Sequence, residues 1–273
     1  MKKTGSYKQL VQWIVGVLLV TAGLHQAVAV TAWQAAAPQQ LVEQVQQQYA
    51  PYQAQALYQQ LEPLAQAAGV QPTDVQTLQS RVASSVDIAL TGKEIAQLPM
   101  AGTEMKEQVQ QQLDEKGIAA NEEISALMDT LEQEGNRLEQ QAWQLPAANQ
   151  LQSLMQQVQQ RQAWLPSVQI AGVLVVAGLV LLALLRRAQP VFVGLAIAGI
   201  LAYNTIRISF ARMQIPAIDL GQTPAADMLN KALVGWLLPV KAAAGSGALV
   251  LAVGALVIAI LLAVQMIWKR KVR

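Results

Sequence analysis

An all-α membrane protein is predicted: four transmembrane helices, the first also readable as a cleavable signal peptide, plus an extracytoplasmic helical bundle. Three observations predict it. Four long apolar runs occur, three of them after residue 166. Strand signals are nearly absent, with no long β-branched alternation and no Asn-Gly hairpin. Charge is segregated along the chain. Residues 34–166 hold fifteen Asp/Glu against six Lys/Arg, a net of −9, whereas the rest holds thirteen Lys/Arg against two Asp/Glu, a net of +11.

The basic pI near 8.9 is therefore set by residues flanking the apolar runs. It does not describe a nucleic-acid-binding surface, and no nucleic-acid partner is expected. The absence of cysteine excludes disulfides, thiolate metal sites and a cysteine nucleophile. An extracytoplasmic domain would then rely on its packed core alone.

The organising feature is a hairpin at 168–206. Residues 168–185 are apolar apart from Gln169, Arg186 and Arg187 follow, and a second apolar run spans 191–206. An apolar helix of about 18–20 residues crosses the roughly 30 Å hydrocarbon core. The short turn with two arginines reads as cytoplasmic.

Upstream, 1–12 carry Lys2, Lys3 and Lys8 and no acid, and 13–24 are apolar. Two readings fit. One is a signal peptide with an Ala-x-Ala site at Ala27–Val28–Ala29. The other is an uncleaved anchor over 10–33, with Trp33 at the outer interface. Both send 34–166 outside. The domains are thus 1–33 (anchor or signal peptide), 34–166 (acidic, Gln-rich helical domain) and 167–273 (three membrane helices with an outer loop at 207–241).

Within 34–166, Gln, Ala, Leu and Glu favour helices, and apolar residues recur at helical spacing. Leu41, Val45, Tyr49 and Tyr52 form one stripe that Pro51 interrupts or kinks. Leu57, Leu61 and Leu64 continue it to Gly69 and Pro72. Thr73-x-x-Gln76 reads as a capping box for a helix with Leu78, Val82, Val86, Ala89 and Leu90 on its apolar face. Gly92, Pro99 and Gly102 make the next connection. Met105, Val109 and Leu113 follow, with Gly117 as C-cap. Asn121 caps a helix bearing Ile124, Leu127, Met128, Leu131, Leu138 and Trp143. After Pro146, Leu151, Leu154, Met155 and Val158 lead through Trp164 to the membrane.

Thr223-Pro224 reads as an N-cap with proline at the first helical position. It opens a short helix over 224–238, and a separate last span covers 242–268. Lys269, Arg270, Lys271 and Arg273 end the chain. The three cytoplasmic pieces hold nine Lys/Arg and no acid, as the positive-inside rule requires.

The layout resembles a loose group of uncharacterised bacterial integral membrane proteins. They share an N-terminal span, an extracytoplasmic helical domain and three C-terminal spans. The resembling stretches are LYQQLEPLAQAAGV (57–70) with LQSRVASSVDIALTGKEI (78–95), and DMLNKALVGWLLPV (227–240) before a glycine-interrupted apolar span. The resemblance implies this architecture and carries over no activity, cofactor or site residue.

Candidate chemistry is sparse. His25 is the sole histidine and reads as an interfacial or leader residue, not a titrating switch. One histidine without cysteine leaves no ordinary zinc site. Glu104, Glu107, Asp114, Glu115, Glu122, Glu123, Glu132 and Glu134 read as solvated helix faces, with no Asp-x-Asp-x-Asp-Gly calcium loop. Neither a Walker A loop nor GxGxxG in a strand–helix context is present. The spans hold no Asp, Glu, Lys or Arg at midplane, which argues against a self-contained ion-coupled transporter. Gly194-xxx-Ala198 and Ala243-xxx-Gly247 are small-xxx-small pairs suited to close helix contact.

Arg207, Arg212, Lys231 and Lys241 place positive charge on the outer loop, which reads first as an ordinary solvated loop and otherwise as a surface that docks the acidic domain or meets anionic lipid or wall polymer. The sequence therefore predicts no catalytic residue, cofactor or metal. It predicts a non-enzymatic cell-envelope protein in the plasma membrane, with both termini cytoplasmic, whose helical ectodomain binds a partner or ligand. The alternative is a subunit of a transport or export complex. Expected partners are membrane lipid and another membrane or envelope protein.

Overall fold

A computed structural model of the chain describes residues 3–92, 100–163, 166–185 and 188–271. Among the described residues there are nine helices and no strand. They are α1 (Lys3–Gln34), α2 (Pro38–Ala68), α3 (Val75–Thr91), α4 (Ala101–Glu115), α5 (Glu122–Ala142), α6 (Ala148–Gln162), α7 (Pro166–Ala183), α8 (Ala188–Ala211) and α9 (Pro224–Lys271). The protein is all-α. Four of its helical stretches are long and apolar enough to cross a membrane: Ser6–Ala68, Ala148–Ala183, Gln189–Ala211 and Pro224–Trp268. The connection at Pro99 and the aromatic residue Trp164 lie outside the described residues.

The chain divides into two compact units. The first comprises Met1–Ala37, Gln156–Ile215 and Leu237–Arg273. The second comprises Pro38–Met155 and Pro216–Trp236.

In the first unit α1 is the common partner. It packs most extensively on α7 and also along α8. Val17, Val20, Leu182 and Ala198 are buried together. Glycines let the backbones approach. A Cβ at Gly178 would lie 2.6 Å from Val20 Cγ2 and 2.8 Å from the Gly16 carbonyl oxygen. One at Gly23 would lie 2.7 Å from the Ala171 carbonyl oxygen. Gly194 faces Leu182 and Val17, and Gly247 faces Val28 on α1. At the other end of α1 the Trp13 indole donates to the Pro190 carbonyl at 2.8 Å.

In the second unit the core joins Ala54, Leu57, Leu61 and Ala65 of α2 to Leu78, Met105 and Ala142. Its helix ends follow local chemistry. Asp74, not Thr73, caps α3, accepting from the Thr77 N–H at 2.9 Å. A carboxylate is a better acceptor for these orphan N–H groups than a hydroxyl. The Thr73 hydroxyl turns instead to Glu104, 2.7 Å away. Asn121 caps α5 through the Ile124 N–H at 2.8 Å. Gly92 and Gly117 end α3 and α4 at φ of 70° and 65°, the left-handed region that favours glycine.

Three further expectations are corrected. α2 runs unbroken through Pro51 and Pro63, and α9 runs unbroken from Pro224 through Pro239, so no separate helix ends near residue 238. Each proline frees the carbonyl four residues back. Those residues, Gln47, Gln59 and Gly235, are exposed like the prolines themselves, so none of these lost helix bonds falls at a buried position. Leu127 is 70% exposed. It lies off the α5 line through Met128, Gly135 and Ala142, which are buried.

Third, Gly102 is not in a connection. It lies inside α4, where a Cβ at Gly135 of α5 would sit 2.6 Å from its Cα. Gly102→Ala should therefore destabilise the second unit by about 1–3 kcal/mol through forced helix separation. Alanine at Gly117, where nothing lies within 4 Å, should cost only the strain of its positive φ. Urea unfolding of the two variants compares them.

The segment Pro216–Trp236 is built into this second unit. Thr223 caps α9 through the Ala226 N–H at 3.2 Å. The Asn230 amide clamps Ile218, accepting from its N–H at 2.7 Å and donating to its carbonyl at 3.2 Å. Leu229, Leu233 and Trp236 are buried. A Cβ at Gly235 would meet the Gln44 side chain at 2.8 Å, so this segment lies directly on α2.

Candidate functional site

The structure separates the four outer-loop cations. Arg207 of α8 and Lys241 of α9 share one cleft of about 390 Å³, walled by Tyr203, Ile206, Phe210, Ala244, Gly245 and Leu249 among others. Neither cation is in an ion pair among the described residues. α8 and α9 approach closely further along, where a Cβ at Gly199 would lie 3.1 Å from Ala255 Cβ.

Phe210 links this wall to an aromatic cluster in the same unit. Its ring centroid lies 6.5 Å from that of Trp33, and the Arg161 guanidinium stacks 4.5 Å over Trp33. The Gln162 amide donates to the Trp33 and Ala36 carbonyls at 2.8 and 3.0 Å, satisfying the orphan carbonyls at the end of α1.

Arg212 is exposed just past the end of α8. Lys231 belongs to the second unit and pairs with Asp227 at 2.8 Å, an exposed contact of small energetic worth. Of the residues expected to set topology, Lys8 is exposed near the start of α1. Lys2, Arg186, Arg187 and Arg273 lie outside the described residues. Lys3, Lys269, Arg270 and Lys271 fall in the terminal turns of α1 and α9. The small-residue pairs are partly engaged: Ala198 is fully buried and Ala243 half-buried.

The second unit holds a charged cluster. Arg81 of α3 is 5% exposed and pairs with Glu104 of α4 and Glu139 of α5. Glu139 is fully buried and also accepts the Ala101 N–H at 2.5 Å. Burial pushes its carboxyl above the usual range, against the pull of Ala101 and Arg81. The cluster ties α3 to the α4–α5 hairpin.

The expectation that the carboxylates form solvated faces holds for Glu107, Asp114, Glu115, Glu122 and Glu123, all exposed. It fails for Glu104, which turns in to Arg81, and for Glu132. Lys106 lies 2.7 Å from Glu132 and holds its carboxyl below the usual range. Glu134 is likewise lowered by Arg137, at 2.6 Å. Arg81 and Glu139 had a readable signal: each occupies a stripe position, one between Leu78 and Val82, the other between Leu138 and Ala142. Opposite charges on two apolar stripes point to each other. Among the described residues no three acidic or histidine side chains converge as a metal site.

No protein-family profile, curated protein or solved structure matches the chain.

Proposed function

We propose that the chain is a non-enzymatic membrane protein of the cell envelope whose helical Pro38–Met155 unit, displayed outside, binds a partner in an accessory, scaffolding or regulatory role. One observation carries the placement. Pro216–Trp236 and Pro38–Met155 fold as one unit, yet α7 and α8 lie between them in the chain. This supports placing both segments on one side of the membrane, with two crossings by α7 and α8 between them. The basic ends of the spans favour that side being the outside.

The role follows from how the charges are used. The second unit's interior charges tie its helices together, while its exposed carboxylates remain outward and available. The resemblance of the layout to a loose group of bacterial membrane proteins is in keeping with an envelope setting.

The chain has no cysteine, so introduced ones report singly. Gln111→Cys and Gln222→Cys, both exposed, should react with a membrane-impermeant maleimide in intact cells, and Ser6→Cys only after lysis. Labelling of Gln111→Cys and Gln222→Cys on opposite sides would overturn the topology. A photocrosslinker at position 111 should capture one stoichiometric envelope partner. Capture only from Gly254, an exposed position in α9, would instead indicate a transport-complex subunit.

A further inference from the structure

We infer that the cleft between α8 and α9 is a binding site for an anionic phospholipid, its phosphate held between Arg207 and Lys241 and its upper acyl carbons along Phe210 and Leu249. The inference is independent of which partner the outer unit binds. It needs only that α8 and α9 cross the membrane.

Three observations support one occupant. The walls are mostly apolar, which suits hydrocarbon and not a free anion. The two cations come from different helices and both line the cleft, and neither has a carboxylate partner among the described residues. Both acids of the intervening segment are already engaged. Asp227 pairs with Lys231, and Asp219 accepts the Gly221 N–H at 3.2 Å. A phosphodiester supplies the missing charge.

Depth supplies the third observation. Trp33, Tyr203 and Phe210 lie at this end of the spans with Arg161 stacked on Trp33. Aromatic side chains of this kind settle at the headgroup level, where a phospholipid places its phosphate. Gly245 marks the empty volume: a Cβ there meets nothing within 4 Å.

Each cation near an anionic lipid contributes about fivefold in affinity, so the pair should give about 25-fold. The test is native mass spectrometry of the full chain in mild detergent, titrated with phosphatidylglycerol and with phosphatidylcholine. The wild type should retain one phosphatidylglycerol with about 25-fold preference. Arg207→Gln with Lys241→Gln should lose the preference and leave phosphatidylcholine binding unchanged. Arg207→Lys with Lys241→Arg should keep it. Gly245→Leu, which fills the cleft without touching a charge, should lower phosphatidylglycerol retention in a chain of unchanged helicity.

Equal retention of the two lipids by the wild type would overturn the site, as would a preference that survives the double glutamine change. Displacement of phosphatidylglycerol by millimolar inorganic phosphate would reassign the cleft to a free anion. A lipid-free dimer dissociated by Gly245→Leu would reassign it to a second copy of the chain.

Discussion

Arg81→Leu should unfold the second unit under conditions where the wild type is folded, at a cost of about 3–5 kcal/mol. That is a large share of the stability of a domain this size. The loss does not come mainly from the missing attraction. Glu139 is fully buried, and without Arg81 its only remaining hydrogen bond among those described is from the Ala101 N–H. An uncompensated buried carboxylate is what makes breaking such a cluster costly. Replacing all three charges, as Arg81→Leu, Glu104→Gln and Glu139→Leu, should recover most of the loss, because a well-packed apolar substitute carries no desolvation penalty.

The pH dependence follows from the direction of the Glu139 shift. Its carboxyl is raised in the folded state from an ordinary 4.5. The folded chain thus holds this proton to higher pH than the unfolded chain, and this group's contribution to stability falls as pH rises above about 4.5. Removing Arg81 raises the carboxyl further, so the damage from Arg81→Leu should be smaller at pH 5 than at pH 7. Urea midpoints followed by proteolysis within Pro38–Met155 measure both effects. Equal damage at the two pH values would mean that lost packing, not the unpaired carboxylate, is the cause.

The contrast between what the sequence shows and what it hides follows from the range of the forces involved. A run such as 168–185 is legible because the cost of placing its residues in hydrocarbon is local and additive. The Asn121 cap is legible because its partner is three residues away. The continuity of α2 and α9 is not. A proline removes one helix hydrogen bond and crowds the carbonyl four residues back; that is tolerated more readily where the residue is exposed, and whether Gln47, Gln59 and Gly235 are exposed is decided by the whole fold. The same holds for Gly102, which reads as a turn residue until α5 is placed across it. At the candidate site, Arg207 and Lys241 are visible as charges, but 34 positions separate them in the chain and only the pairing of α8 with α9 joins them. Lys231 looks equivalent in sequence and is taken by Asp227, one turn away.

Gly178→Leu should be among the most disruptive single changes in the first unit. A side chain there meets Val20 Cγ2 at 2.6 Å and the Gly16 carbonyl oxygen at 2.8 Å. The second contact is backbone, so α1 and α7 must move apart. Overpacking costs about 1–3 kcal/mol where side chains can shift. It should exceed that here, because close packing is the main force between helices in lipid. Gly172→Leu on the same helix is the control, since nothing lies within 4 Å of its Cβ. Midpoints of unfolding in mixed detergent micelles should fall for Gly178→Leu and stay near wild type for Gly172→Leu. Equal effects would mean that the α1–α7 contact carries little of the unit's stability. The same contact favours the uncleaved reading of the N-terminus. Cleavage after Ala29 would remove Val17 and Val20 and leave the faces of Ala171, Gly178 and Leu182 without the surface that covers them. The purified protein should therefore keep its first helix, as N-terminal sequencing would report. A mature chain beginning at Val30 would show instead that α7 and α8 are stable without α1.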